Sequence, residues 1–251
     1  MRLKTLILTA CLASPAAAQD ITIGTAFPYD PFISRDETGT LKGAEPEILA
    51  AICARAGWTC SWTEMPFEDL IPALQDGRID IAANGLGHTI ERAAEVHMAC
   101  PYYPVLGDPP SGTFFTTDPD HDPRSGPVGV TAGSIFEATL LREGYVPVPF
   151  EDETVALQAL QDGLVQAHFG SRTYPAQIHV DGDLHEAGEI ETGAIGFAFA
   201  LNPTNPEMIE IFETVQADIS SDGTLAGIAE THLGFSHPDP ISLCDRTNPI
   251  S

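Results

Sequence analysis

The strongest constraint on how this chain can fold is an internal repeat. Ala73-Leu74-Gln75-Asp76-Gly77 recurs as Ala159-Leu160-Gln161-Asp162-Gly163, eighty-six positions later. Each copy reads as the end of a helix closed by a glycine cap. Each leads into a short apolar run, Ile79 to Ala83 or Val165 to Phe169, of the kind that forms a buried parallel strand. Five residues alone are a weak match, but the matched context makes duplication of one α/β lobe the better reading.

The surroundings of the first copy support this. Ile21 to Thr25 alternates as a strand, and a turn-rich stretch, Phe27 to Phe32, follows. Leu41-Lys42-Gly43 opens a helix with Pro46 in its first turn, an apolar face of Ile48, Leu49, Ile52 and Ala56, and Gly57 as its stop. Cys60 to Thr63 is a second strand. Phe67, Leu70, Ile71 and Leu74 make the i, i+3, i+4, i+7 stripe of a helix ended by Gly77. The order β-α-β-α-β builds a parallel sheet covered by helices. In the second half, Val128 to Thr131 is a strand, and Ser134 with Glu137 has the spacing of a capping box. Two lobes need a cleft, and ligands of open α/β sheets sit at the carboxyl ends of the strands. Tyr103 to Gly112, with three prolines and two glycines, is the first crossing between lobes, and Gly193 to Leu201 the second. Two crossings make a hinge. Helices are expected at Pro206 to Ile219 and Leu225 to Leu233. The expected division is a signal segment at 1–18, a first lobe of 19–106 with 197–251, and a second lobe of 107–196.

The first residues read as an export signal: Arg2 and Lys4, an uncharged apolar stretch from Leu6 to Ala13, then Ala16-Ala17-Ala18 before Gln19. Leu8-Thr9-Ala10-Cys11 looks like a lipoprotein box, but it leaves only Leu6 to Ala10 as apolar core, so a soluble periplasmic protein is the expectation. No other run is long and apolar enough to cross a membrane as a helix. Formal charge is −25, and loss of Arg2 and Lys4 takes it to −27, with Lys42 as the one remaining lysine. Such a surface repels nucleic acid and anionic lipid. A monomer is expected. Cys53, Cys60, Cys100 and Cys244 remain after processing and allow three disulfide connectivities. Cys53 at a helix end and Cys60 on the next strand permit a local bridge, which leaves Cys100 for Cys244. Neither the cysteines nor the scattered histidines have metal-ligand spacing, and no metal or cofactor is expected.

The most informative loop is Asn84-Gly85-Leu86-Gly87-His88-Thr89-Ile90-Glu91-Arg92. Its glycines let a ligand approach the backbone, and Arg92 offers a planar fork of donors that matches a carboxylate. Gly133-Ser134-Ile135 adds N–H groups at a helix N-terminus. Each has a plain alternative, a surface arginine and a hydrated helix end. His168 falls in a buried strand and reads first as a core histidine.

Taken in order, these pieces resemble the bacterial extracellular solute-binding proteins of family 3, polar amino-acid binders that feed ABC transporters. The resemblance runs through Tyr29-Asp30-Pro31-Phe32, Leu41-Lys42-Gly43, Phe67 with Leu70 to Leu74, Gly77-Arg78-Ile79-Asp80 and Thr89-Ile90-Glu91-Arg92. It continues through Pro101-Tyr102-Tyr103, Val128 to Val130 with Ala132-Gly133-Ser134, and Ser221 to Leu225. It implies an α/β, two-lobed periplasmic-binding-protein fold of type II. It also implies a Cys53–Cys60 disulfide, as in some basic-amino-acid binders. By position, Tyr29 and Phe67 would stack on the ligand's side chain, although Phe67 also fits a core stripe. The Gly85 carbonyl would accept from its amino group. The Gly87 N–H, Arg92 and the N–H groups of Ser134 and Ile135 would hold its carboxylate. The resemblance also marks departures. The lobe-two acid that pairs with the ammonium is replaced by Ser171, a second acidic position is Ala26, a usual hydroxyl is lost at Gly87, and His88 replaces an apolar residue. Either Asp30, Glu68 or another acid supplies the charge, or the ligand lacks a free ammonium.

The expected function is therefore the periplasmic binding subunit of an ABC uptake system. It would capture a small carboxylate-bearing solute, an amino acid or a derivative, and deliver it to a permease. A dehydratase-like enzyme on the same scaffold is the runner-up, with His88 and Ser171 as its only nominees, and a sensory binder is the third reading.

Overall fold

A computed structural model describes residues 18–26, 28–104, 111–172 and 183–233. Most of the expected signal segment, Phe27, part of the first crossing, Cys244 and the Pro-rich tail lie outside these residues.

A small hairpin, β2 (Ser34–Arg35) with β3 (Leu41–Lys42), follows β1 (Asp20–Thr25). Two five-stranded sheets form the frame. The first has the order β4 (Thr59–Glu64), β1, β5 (Ile81–Ala82), β14 (Ala200–Leu201), β6 (His97–Met98). The second has the order β10 (Val146–Phe150), β9 (Pro127–Thr131), β11 (Ala167–Gly170), β8 (Ser111–Thr116), β12 (His185–Glu191). In each sheet the first three strands are parallel and the fourth runs antiparallel to both its neighbours. The two halves thus share one topology, as the repeat implies. In each sheet the fourth strand lies just beyond a crossing. β8 follows β7 (Tyr103–Pro104), β14 follows β13 (Gly196–Phe197), and β7 and β13 pair with each other.

The two copies of the repeat match down to their hydrogen bonds. Gly77 and Gly163 are both left-handed, with φ of 68° and 72°. Their N–H groups donate to the Leu74 and Leu160 carbonyls, both at 3.1 Å. The next two N–H groups turn back to the Ala73 and Ala159 carbonyls at 2.8 and 3.4 Å, and at 2.9 and 3.4 Å. Only a residue without Cβ enters this conformation at little cost.

The first helix, α1 (Ala44–Ala56), ends at left-handed Gly57 as its sequence indicates and buries Ile48, Leu49 and Ile52. The stripe beginning at Phe67 differs from the expected single helix: Phe67–Asp69 is a 3-10 turn, and α2 covers only Leu70–Gln75. Pro72 explains this, since it has no N–H to return to the Glu68 carbonyl. After α3 (Ile90–Glu95), the second half holds α4 (Ile135–Arg142) and α5 (Glu153–Gln161). The two expected C-terminal helices are α6 (Pro206–Ser221) and α7 (Thr224–Leu233).

Apolar side chains fill both faces of each sheet. Ile21, Ile23, Leu49, Ile52, Phe199 and Phe212 pack on one face of the first, and Leu70, Leu74, Ile79 and Leu86 form a separate cluster. Val128, Val130, Leu140 and Phe169 form a cluster in the second half, and Phe115, Leu160 and Val165 another. Cys53 and Cys60 are bridged, with Cα atoms 6.2 Å apart. Cys100 is also disulfide-bonded. Its expected partner, Cys244, lies outside the described residues.

Candidate functional site

Both sheets turn the carboxyl ends of their parallel strands toward one cavity. The ends of β1 and β5 supply Ala26, Tyr29, Asn84, Gly85 and Gly87, and the end of β4 leads to Phe67. From the second sheet, β9 leads to Thr131, Ser134, Ile135 and Phe136, and β10 to Glu151, Asp152 and Glu153. Arg92 and Phe197 complete the wall.

Arg92 is buried in the first turn of α3, where Thr89 caps the helix by accepting from the Arg92 N–H at 3.2 Å. Its guanidinium donates to the Gly87 carbonyl at 3.0 Å and, across the cleft, to the Gly133 carbonyl at 3.1 Å. It also lies 5.9 Å from the centre of the Phe67 ring. Among the described residues no carboxylate pairs with it. Burial lowers its pKa to about 10, with Glu95 opposing, so it remains charged at neutral pH. The lobes meet closely here. A Cβ on Gly133 would come within 2.8 Å of the Glu68 backbone, and one on Gly87 within 2.8 Å of the Ile135 side chain.

The loop Asn84 to Gly87 is set from below. The Asn84 amide donates to the Ala26 carbonyl at 2.8 Å, and the Gly85 N–H donates to Glu45 at 2.9 Å. Gly85 is left-handed, and the Tyr29 ring lies where a side chain would go. The Gly85 carbonyl and the Gly87 N–H make no hydrogen bond to a described residue. They keep the acceptor and donor a zwitterion needs. Glu45 is fully buried and also accepts from the Tyr102 hydroxyl at 2.6 Å. Burial raises its pKa to about 7.

Ser134 caps α4, accepting from the Glu137 N–H, while the Glu137 carboxylate accepts from the Gly133 N–H at 2.7 Å. The Ser134 N–H turns to the Thr131 carbonyl at 3.3 Å. The donors left without a helical partner at the cavity are therefore those of Ile135 and Phe136.

Seven residues singled out in the sequence line this cavity: Tyr29, Phe67, Gly85, Gly87, Arg92, Ser134 and Ile135. Two do not. The ring of His88 is buried, with Nδ1 3.3 Å from the Ala99 carbonyl, and its main chain bonds to Gly196 and Ile195 of the returning crossing. Burial lowers its pKa, so it serves as a neutral tie between the loop and the hinge. Ser171 lines a neighbouring groove with Arg172 and Thr192, and its N–H donates to Glu153 at 3.0 Å. Of the acids considered, the Asp30 carboxylate accepts from Ser34 at 2.6 Å, and Glu68 faces an outer groove.

Sequence reading missed the acidic run Glu151-Asp152-Glu153. It follows Val146-Pro147-Val148-Pro149-Phe150, whose prolines hide a strand; β10 tolerates them because it is an edge strand. A usable signal existed. The same offset of eighty-six that defines the repeat carries Phe67 onto Glu153.

The model of the bacterial extracellular solute-binding proteins, family 3, matches residues 21–235. The chain belongs to this family. It is 25% identical over 243 residues to the ABC transporter arginine-binding protein 1 of Escherichia coli, covering 91% of this chain and 98% of that one. An ancestral arginine-binding protein bound to arginine superposes with a TM-score of 0.74 at 25% identity, over 87% of this chain and all of the other. A periplasmic His/Glu/Gln/Arg/opine family-binding protein from Silicibacter pomeroyi, in complex with lysine, gives 0.76 at 25% identity over 87% and 99%. The fold is accordingly that of the type II periplasmic binding proteins, as the resemblance implied. No helix of the described residues is long and apolar enough to cross a membrane.

Proposed function

We propose that this chain is the periplasmic binding subunit of an ABC uptake system, and that it closes around an α-amino acid with a cationic side chain. The observation that carries this reading is the charge of the cavity wall. One buried guanidinium, Arg92, shares the cavity wall with three acids, Glu151, Asp152 and Glu153. Arg92 with the Ile135 and Phe136 N–H groups suits a carboxylate, and the surplus of acids favours a ligand with net positive charge. An acidic amino acid would meet like charge, which excludes it as effectively as contacts select the right one. Tyr29, Phe67 and Phe197 give an aromatic surface to a long aliphatic or guanidinium side chain. The names of relatives as arginine-binding proteins support the same class.

Equilibrium dialysis with L-arginine, L-lysine, L-ornithine and L-histidine against L-glutamate tests this. At least one basic amino acid should be retained at micromolar protein, and mass spectrometry should recover it intact. Retention of glutamate alone, or conversion of the retained solute, would overturn the reading.

A further inference from the structure

The α-amino group of a bound amino acid needs a buried acceptor within the cavity, and the three acids there are not equivalent. Glu151 is exposed, so a pair with it is largely screened. Asp152 is only half-buried, and its Oδ1 caps α5, accepting from the Val155 N–H at 2.8 Å. Glu153 has a side chain only 7% exposed and lines the cavity. Its Oε1 accepts from the Ser171 N–H at 3.0 Å and faces His168 Nε2 at 3.3 Å. Its Oε2 makes no hydrogen bond to a described residue.

His168 is fully buried behind it. Its Nδ1 lies 3.1 Å from the Gly129 carbonyl, which can only accept, so Nδ1 carries a proton. Nε2 then meets a carboxylate oxygen that already accepts from Ser171. A second proton must lie between His168 and Glu153, on one or the other. The elements packed on β11 are α5, β8 and β9, and they bring no other titratable residue to the pair. Nearby Arg172 is engaged by Glu186 and Glu189.

We propose that Glu153, held from behind by His168 and the Ser171 N–H, receives the solute's α-ammonium. This rests on the amino-acid reading above. The ammonium would sit on Oε2, while Oε1 stays fixed by the Ser171 N–H and His168.

The test uses the mature chain and Glu153→Gln, titrated calorimetrically with L-arginine and with 5-guanidinopentanoate, which lacks only the α-amino group. The glutamine side chain is isosteric and keeps an oxygen for the Ser171 N–H, so folding should survive; a thermal melt checks this. E153Q should weaken L-arginine on the order of 30-fold or more and change 5-guanidinopentanoate by less than about threefold. Equal losses for both probes or unchanged L-arginine affinity would overturn the assignment. If the wild type binds none of L-arginine, L-lysine, L-ornithine and L-histidine, the basic-amino-acid reading fails first and takes this one with it.

Discussion

Replacing Arg92 with alanine should separate binding from stability. Arg92 makes two hydrogen bonds to carbonyls, at 3.0 and 3.1 Å, and has no carboxylate partner among the described residues. Burial has pulled its pKa from 12.5 to about 10, and each unit is worth about 1.4 kcal/mol, so carrying the charge costs the fold roughly 3 kcal/mol. Two charge-assisted hydrogen bonds return about 3–6 kcal/mol. The two largely offset, and Arg92→Ala should lower the unfolding free energy by no more than about 3 kcal/mol. Binding is different, because a buried ligand carboxylate would lose its ion pair, at a cost of about 2–5 kcal/mol or roughly 30- to several-thousand-fold in Kd. Urea melts with isothermal titration of L-arginine measure both on one preparation. A large loss of stability with unchanged affinity would show that Arg92 is a structural strut and refute this assignment.

Three further outcomes follow from named residues. Glu45, raised from 4.5 to about 7 by burial, holds more protons folded than unfolded between those values. Its contribution is therefore complete below about pH 4.5 and is lost as pH rises through 7, by roughly 3 kcal/mol. Denaturant melts at pH 5 and pH 8 should show Glu45→Gln removing that part of the decline; an unchanged decline would contradict the burial argument. Gly133→Ala would place a carbon 2.8 Å from the Glu68 backbone at a φ of +68°, so it should hold the lobes apart. X-ray scattering with saturating solute should then show no compaction and calorimetry a weaker Kd, whereas wild-type closure would count against the contact. Gly77→Ala and Gly163→Ala, both at left-handed positions, should each destabilise by about 1 kcal/mol in urea melts; a neutral result at either would break the equivalence of the two copies.

Much of this architecture was legible before any coordinates. The glycine caps at Gly57, Gly77 and Gly163 and the capping Ser134 act locally, so their conformations follow from the residues beside them. The β-α-β-α-β order and the repeat pointed to two sheets, and the loop around Arg92 to one wall of the cavity. What was hidden depends on contacts distant in sequence. His88 sits in a loop that looks ligand-facing, but pairing with Gly196 and Ile195 turns it into the hinge. Glu153 looks like an ordinary acid in a first helical turn, and only β9 and β11 place Gly129, His168 and Ser171 around it. Pro72 shortened a helix that apolar spacing alone made continuous.

The central claim is that two lobes close on a basic α-amino acid, and thermal unfolding of the mature chain with single solutes tests it most directly. At one hundred times its Kd, a bound solute adds roughly 2.7 kcal/mol, or about 5–10 °C for a chain of this size. L-arginine, L-lysine, L-ornithine or L-histidine should give the largest shift, with L-glutamate and glycine betaine giving none. A largest shift from glutamate, from betaine or from another solute without a free ammonium would contradict the account.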